Sequence, residues 1–330
     1  MVTLLLDKFK GGVNFEDRGD KTHISEEESQ TWGKMLDFSL VGVAQNAYQI
    51  LQANNVFENK DFLFADDFTD ANGTNNTVNE ASTTAIYDYE SNSYKCKING
   101  DGTNDTDNAE SSFPVTNTQS SSYGYKITAT SNCVLISVTK IGTSTATRVI
   151  LKSDNNNSIA TATFSGNIAT FSSPQSLISG NNYRIEVDNN GSTYTSARNG
   201  SPSYPYIGVN IDFITGSVGG VDVSSDAFNI VSCVTQTGSF IDSKITCDSN
   251  TKTLLGTEET ICIYADKETP TDTDITLDIS DGTTTLLNQP FNEAIGLTGF
   301  SSGILNITFN LTTTDTSVTP VLKGYGGFIK

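Results

Sequence analysis

Residues 164–187 read FSGNIATFSSPQSLISGNNYRIEV, short strand-like pieces broken by a Ser-Pro turn and a Ser-Gly-Asn-Asn turn. In the last piece Tyr183, Ile185 and Val187 share one face, while Arg184 and Glu186 share the other. Strand side chains alternate in direction, so such a run buries one face and must find a second layer to bury it against. The same alternation puts Val149 and Leu151 on one face. Near the C-terminus it sets Leu305, Ile307, Phe309 and Leu311 against Asn306, Thr308 and Asn310. The expected fold is mainly β: two antiparallel β-sandwich, jelly-roll-like domains over 61–235 and 236–330. No short fixed period marks a solenoid or a propeller.

Residues 1–60 follow another pattern. The stretch DKFKGGVNFEDRGDKT is charged and Gly-broken, which suits an extended arm that orders against a neighbour. Ser25 and Glu28 then form a capping-box pattern, and Trp32, Leu36, Leu40, Val43, Ala47 and Ile50 follow at helical spacing. One helix is expected there, serving docking or oligomerisation. Its stripe suits packing on the chain's own sheets or another protein, or a homo-oligomer such as a trimer.

The chain sets 38 acidic against 19 Lys and Arg residues, a net charge of −19. Nucleic acid and anionic membrane faces are poor partners for such a surface. No apolar run reaches membrane length, so no membrane insertion is expected. The start MVTLLLDKFKGG lacks the basic, apolar and cleavage regions of a signal peptide, so general secretion is not the expected route. Five cysteines without metal-type spacing read as buried thiols, with one disulfide left open.

Side chains for catalysis are scarce. His23 is the sole histidine and sits in the arm, which is a poor place for the geometry of general base catalysis. No enzyme activity and no resident cofactor are expected. Carboxylates are plentiful, but sequence spacing does not set two of them across a glycosidic bond. A zinc site of His and Cys is not expected, and calcium is the better-suited ion: DGTNDTDNAE offers Asp101, Asn104, Asp105, Asp107 and Glu110 as oxygen ligands in a loop, with a solvated turn as the competing reading. The loop SPSYPYIGV and its surroundings carry Tyr194, Tyr204 and Tyr206, a candidate surface for stacking on sugar rings. The alternative is that these tyrosines pack on the sheets or on a neighbouring subunit.

Two long stretches carry a resemblance. FADDFTDANGTNNTVNEASTTAIYDYESNSYKC and ATRVILKSDNNNSIATATFSGNIATFSSPQSLISGNNYRIEVDNNGSTYT resemble β-sandwich regions in tail, fibre and other virion proteins of tailed bacteriophages and related archaeal viruses. The C-terminal ITLDISDGTTTLL and GILNITFNLTTTDTSVTPVLKGYG resemble the terminal sandwich of the same class. The resemblance implies a virion structural protein, a tail, fibre or host-attachment component assembled in the host cytoplasm and exposed on the particle. Its implied partners are other virion proteins and a host surface glycan. Capsid decoration and a cell-surface carbohydrate-binding adhesin are the alternatives.

Overall fold

In the computed structural model the described residues are 62–66, 68 and 79–329. They form antiparallel sheets, with no helix among them. The expected arm and helix, with Trp32, Leu36, Leu40, Val43, Ala47 and Ile50, lie outside the described residues.

Two hydrophobic cores organise the chain. The first lies between two sheets. One sheet runs, in spatial order, Ile295–Gly296, Thr260–Glu268, Val321–Ile329, Ser93–Lys95 and Ile86–Asp88, with Phe62–Asp66 also paired to Val321–Ile329. The other runs Asn79–Thr83, Ser243–Leu254, Gly303–Thr313, Thr273–Ser280 and Thr285–Gln289. As the alternation predicts, Leu305, Ile307, Phe309 and Leu311 are buried in this core, while Asn306, Thr308 and Asn310 are half-buried on the far face. The Phe309 ring stands edge-on to Tyr325, centroids 5.0 Å apart, and stacks on Phe291 at 6.2 Å.

The second core is enclosed by a long sheet that doubles back on itself. Its order is Val221–Val223, Ile211–Val218, Tyr123–Ala129, Asn182–Asp188, Arg148–Ser153, Ser158–Ser165, Ile168–Leu177, Cys133–Lys140, Ile230–Ile241 and Lys97–Gly100. Asp105–Asn108 also pairs with Ile230–Ile241. Ala227–Phe228, Tyr194–Asn199 and Val115–Gln119 form a separate three-stranded sheet. Val149, Leu151, Tyr183, Ile185 and Val187 all point into this core, as expected.

The cores divide the chain differently from the expected break at 235/236. That point falls inside the unbroken strand Ile230–Ile241. The strands between 62 and 95 pair with C-terminal strands, so the first core takes both ends of the described chain and the second takes the middle. The physical reason is edge satisfaction: Val321–Ile329 offers backbone groups on two sides. Thr260–Glu268 fills one, and Phe62–Asp66 with Ser93–Lys95 fills the other. Side-chain contacts join the two regions, since Asn181 Nδ2 donates to Asp88 at 2.8 Å and the Asn182 N–H donates to Glu90 at 2.8 Å.

Two local expectations change as well. The Ser-Pro pair makes no turn: Ile168–Leu177 is one strand whose register slips between Thr170 and Gln175, next to Pro174, which has no N–H to give a ladder. The polar loop expected after Gly100 contains the strand Asp105–Asn108. All five cysteines are buried, and burial pushes the thiols of Cys96 and Cys133 up to about 11 and about 12, which keeps them protonated and unreactive.

Phe309 tests the first core. Phe309→Ala is expected to cost about 3–5 kcal/mol in urea unfolding, because a large buried ring leaves a cavity that paired strands cannot close. A loss below about 1 kcal/mol would mean that the two sheets do not enclose a tight core there.

Candidate functional site

Along the segment 203–210 exposure alternates between the protein body and solvent, with a single bridge residue at Tyr206. Tyr204 and Tyr206 turn toward the body with their rings edge-on, centroids 5.3 Å apart, and Tyr204 meets the buried Tyr125 at 6.1 Å. The Tyr204 hydroxyl donates to the Asp226 carbonyl at 2.8 Å, and the Tyr206 hydroxyl donates to Glu110 Oε2 at 2.7 Å. Burial raises both phenols, Tyr206 up to about 12, with the adjacent Glu110 adding to the rise, so both remain neutral donors.

Glu110 is the organiser of this cluster. One carboxylate oxygen accepts the N–H groups of Ser111 and Ser112 at 2.8 and 2.9 Å. The other accepts the Tyr206 hydroxyl and Asn199 Nδ2, each at 2.7 Å. Burial alone would raise its carboxyl, but these donors outweigh it and hold the group below the ordinary carboxylate range. Both oxygens are thus committed to positioning, which leaves Glu110 poorly placed to move a proton for a substrate. Beside it Arg198 pairs with Asp226.

Tyr194 does not belong to this surface. It is 3% exposed and its hydroxyl donates to the Val187 carbonyl at 2.9 Å, so no ligand can stack on it. What faces outward near Tyr204 and Tyr206 is instead Pro205, Ile207 and Val209. Glu110, expected as an oxygen ligand for calcium, instead accepts Tyr206 and Asn199, and these aliphatic side chains are the residues that the sequence reading missed. The alternation within YPYIGV was the available signal.

Asp101, Asp105 and Asp107 do not form one ligand set. Asp101 is exposed and caps its own turn by accepting the Thr103 N–H at 2.8 Å. Asp105 accepts Asn210 Nδ2 at 2.9 Å. Asp107 is fully buried; its Oδ1 accepts the N–H groups of Val209 and Asn210 at 2.5 and 2.9 Å, and its Oδ2 accepts the Thr235 hydroxyl at 2.5 Å. Asp107, with both oxygens bonded inside the fold, fastens the end of the 203–210 segment to the sheet. Among the described residues no three His, Cys, Asp or Glu side chains converge as a metal group. His23 lies outside the described residues.

A second polar cluster covers the outer face of the Asn182–Asp188 strand. Alternation sends Arg184 and Glu186 away from the core, yet both are buried, because a hairpin around Gly219 and Gly220 and the turn at 153–157 close over them. Arg184 bridges Asp222 at 2.6 Å and Asp154 at 3.0 Å, and Lys126 meets the same two acids at 3.7 and 2.9 Å. Glu186 is 0% exposed and accepts Lys152 at 2.7 Å, the Ser122 and Ser217 hydroxyls at 2.5 Å each, and the Gly220 N–H at 2.9 Å. Three cations face three anions in this cluster, so it adds no net charge. It holds the hairpin down through Ser217 and Gly220.

Burial raises the Glu186 carboxyl, but Lys152 and the hydroxyl and N–H donors outweigh it and leave the group lowered. Its contribution to stability is therefore complete above the unfolded value near pH ~4.3 and is lost as pH falls through the lower folded value. Glu186→Gln leaves Lys152 without its anion and is expected to cost about 3 kcal/mol at neutral pH. Urea unfolding of both proteins should show that gap narrowing in acid below pH ~4. A gap unchanged with pH would contradict an ionised Glu186.

No protein-family model matches this chain, no curated protein is significantly similar to it in sequence, and no solved structure is significantly similar to it in fold.

Proposed function

We propose that this chain is a virion structural protein, a tail, fibre or host-attachment component whose β-sandwich units project from the particle. The observation that carries the reading is the resemblance of the stretch from Ala146 to Thr195 to virion β-sandwich regions. That stretch forms the antiparallel strands Arg148–Ser153, Ser158–Ser165, Ile168–Leu177 and Asn182–Asp188. The reading takes the two cores as two jelly-roll-like sandwiches, the middle one inserted into the other. It assigns binding and assembly to the chain, with no catalytic step.

Physical features support it. Carboxylates such as Glu110 and Asp107 are saturated by internal donors and act as fasteners. Turns carry Asn or Gly in the left-handed region, as at Asn190 and Gly191, so loops can vary without disturbing the ladders. In this reading the residues before 61 dock the chain to other virion proteins through the stripe from Trp32 to Ile50. The surface around Tyr204 and Tyr206 faces the host, and Tyr194 serves the core.

Quantitative mass spectrometry of purified particles, referenced to the major capsid protein, tests the proposal. A stoichiometric presence is expected, with few copies indicating a tail or fibre and hundreds indicating capsid decoration. Absence from particles with recovery in cell envelopes would overturn it and favour a surface adhesin.

A further inference from the structure

Asn99–Gly100, Asn190–Gly191 and Asn199–Gly200 are the Asn-Gly pairs among the described residues, and Asn72–Gly73 lies outside them. Such a pair carries its own chemistry. The Gly nitrogen is placed to close a five-membered ring on the Asn carboxamide carbon, and Gly has no Cβ to block the approach. The fold restrains two of the pairs. Asn99 and Gly100 belong to the strand Lys97–Gly100 and pair with Ser239 and Gly238, and a Cβ at Gly100 would collide with Gln236. Asn199 is held at both ends of its carboxamide: Nδ2 donates to Glu110 at 2.7 Å and Oδ1 accepts the Ser201 N–H at 3.0 Å. Its backbone pairs with Ala227.

Asn190–Gly191 is different. It forms the tip of the turn between Asn182–Asp188 and Tyr194–Asn199, and both residues are exposed. Among the described residues no hydrogen bond engages the Asn190 carboxamide or the Gly191 N–H. Both residues hold left-handed backbone, with φ of 49° and 82°, and a Cβ at Gly191 would meet nothing within 4 Å. Turning the Asn190–Gly191 peptide toward the carboxamide gives up one turn bond, from the Ser192 N–H to the Asn189 carbonyl at 3.0 Å, and no packing. At the other two pairs the same rotation breaks ladder bonds.

We propose that Asn190 is a site of self-modification, converting through a cyclic succinimide to aspartate and isoaspartate. The Gly191 nitrogen loses its proton to solvent base and attacks Asn190 Cγ. The N–Cγ bond forms, the Cγ–Nδ2 bond breaks, and Nδ2 takes a proton from water and leaves as ammonia. Water then opens the ring. Opening at Cγ gives aspartate on the original main chain, and opening at the main-chain carbonyl gives isoaspartate, with the chain now running through Cγ. Either product sets a new carboxylate two residues from Asp188, which already pairs with Arg148 at 2.6 Å. Isoaspartate also lengthens the turn that leads into the buried Tyr194. The proposal goes beyond the virion reading and does not depend on it.

Timed incubation of the folded full chain, followed by peptide mapping with fragmentation that separates aspartate from isoaspartate, tests it. Asn190 should convert to both products, faster in mild alkali than in mild acid. Asn99 and Asn199 should convert at least about tenfold more slowly, because their reaction waits for local opening. Unfolding the chain in urea should bring the rates of all three together. Gly191→Asp should slow conversion at Asn190 while keeping the turn, since Asp tolerates left-handed backbone but its Cβ hinders the attacking nitrogen. Equal rates at the three sites in the folded chain would overturn the proposal, as would a difference that persists in urea. Aspartate formed without isoaspartate would also overturn it, by assigning direct hydrolysis of the carboxamide.

Discussion

The strand Val321–Ile329 closes the first core, and the rest of the architecture depends on its two edges. One edge takes Thr260–Glu268 in a long ladder, and the other takes Phe62–Asp66 and Ser93–Lys95, which precede it by more than two hundred residues. Buried backbone groups must find partners, so the closing strand draws both ends of the described chain into one sheet. Everything between Asp105 and Thr235 must then leave that sheet and return to it. The strand Ile230–Ile241 makes the return, pairing with Cys133–Lys140 in the second core and delivering Phe240 to the first.

Fixed ends place the contact surface. Asp107, on a short strand beside Ile230–Ile241, fastens Val209 and Asn210. Glu110, just beyond that strand, fastens Tyr206. The exposed segment 203–210 is thus rigid although it lies in a loop, which reduces the ordering cost of binding anything along it. The acids of this region work as hydrogen-bond acceptors for the fold, and this explains how an acid-rich chain keeps an aliphatic ridge at its surface.

Alternation along single strands was legible in the sequence. Leu305 to Leu311 and Tyr183 to Val187 face inward as their spacing requires. Pairing between distant strands was not, because the partner of Phe62–Asp66 is fixed by an edge left open at the far end of the chain. The acids of DGTNDTDN look solvated in sequence, yet Asp107 is buried once Asp105–Asn108 joins a sheet and meets the N–H groups of Val209 and Asn210. Among the tyrosines, composition could not separate Tyr194, inside the core, from Tyr204 and Tyr206 at its rim. Arg184 and Glu186 were placed on the correct face, but the hairpin that covers them comes from residues 216–223, beyond the reach of a local pattern.

Native-state hydrogen exchange, resolved by peptide along the whole chain, tests the central claim that both ends of the described chain share one core. The account predicts that strands Phe62–Asp66 and Ser93–Lys95 exchange with Thr260–Glu268 and Val321–Ile329 as one cooperative group, separate from the strands between Asp105 and Asp188. Exchange of the 62–95 strands together with the 105–188 strands, independent of Val321–Ile329, would contradict it.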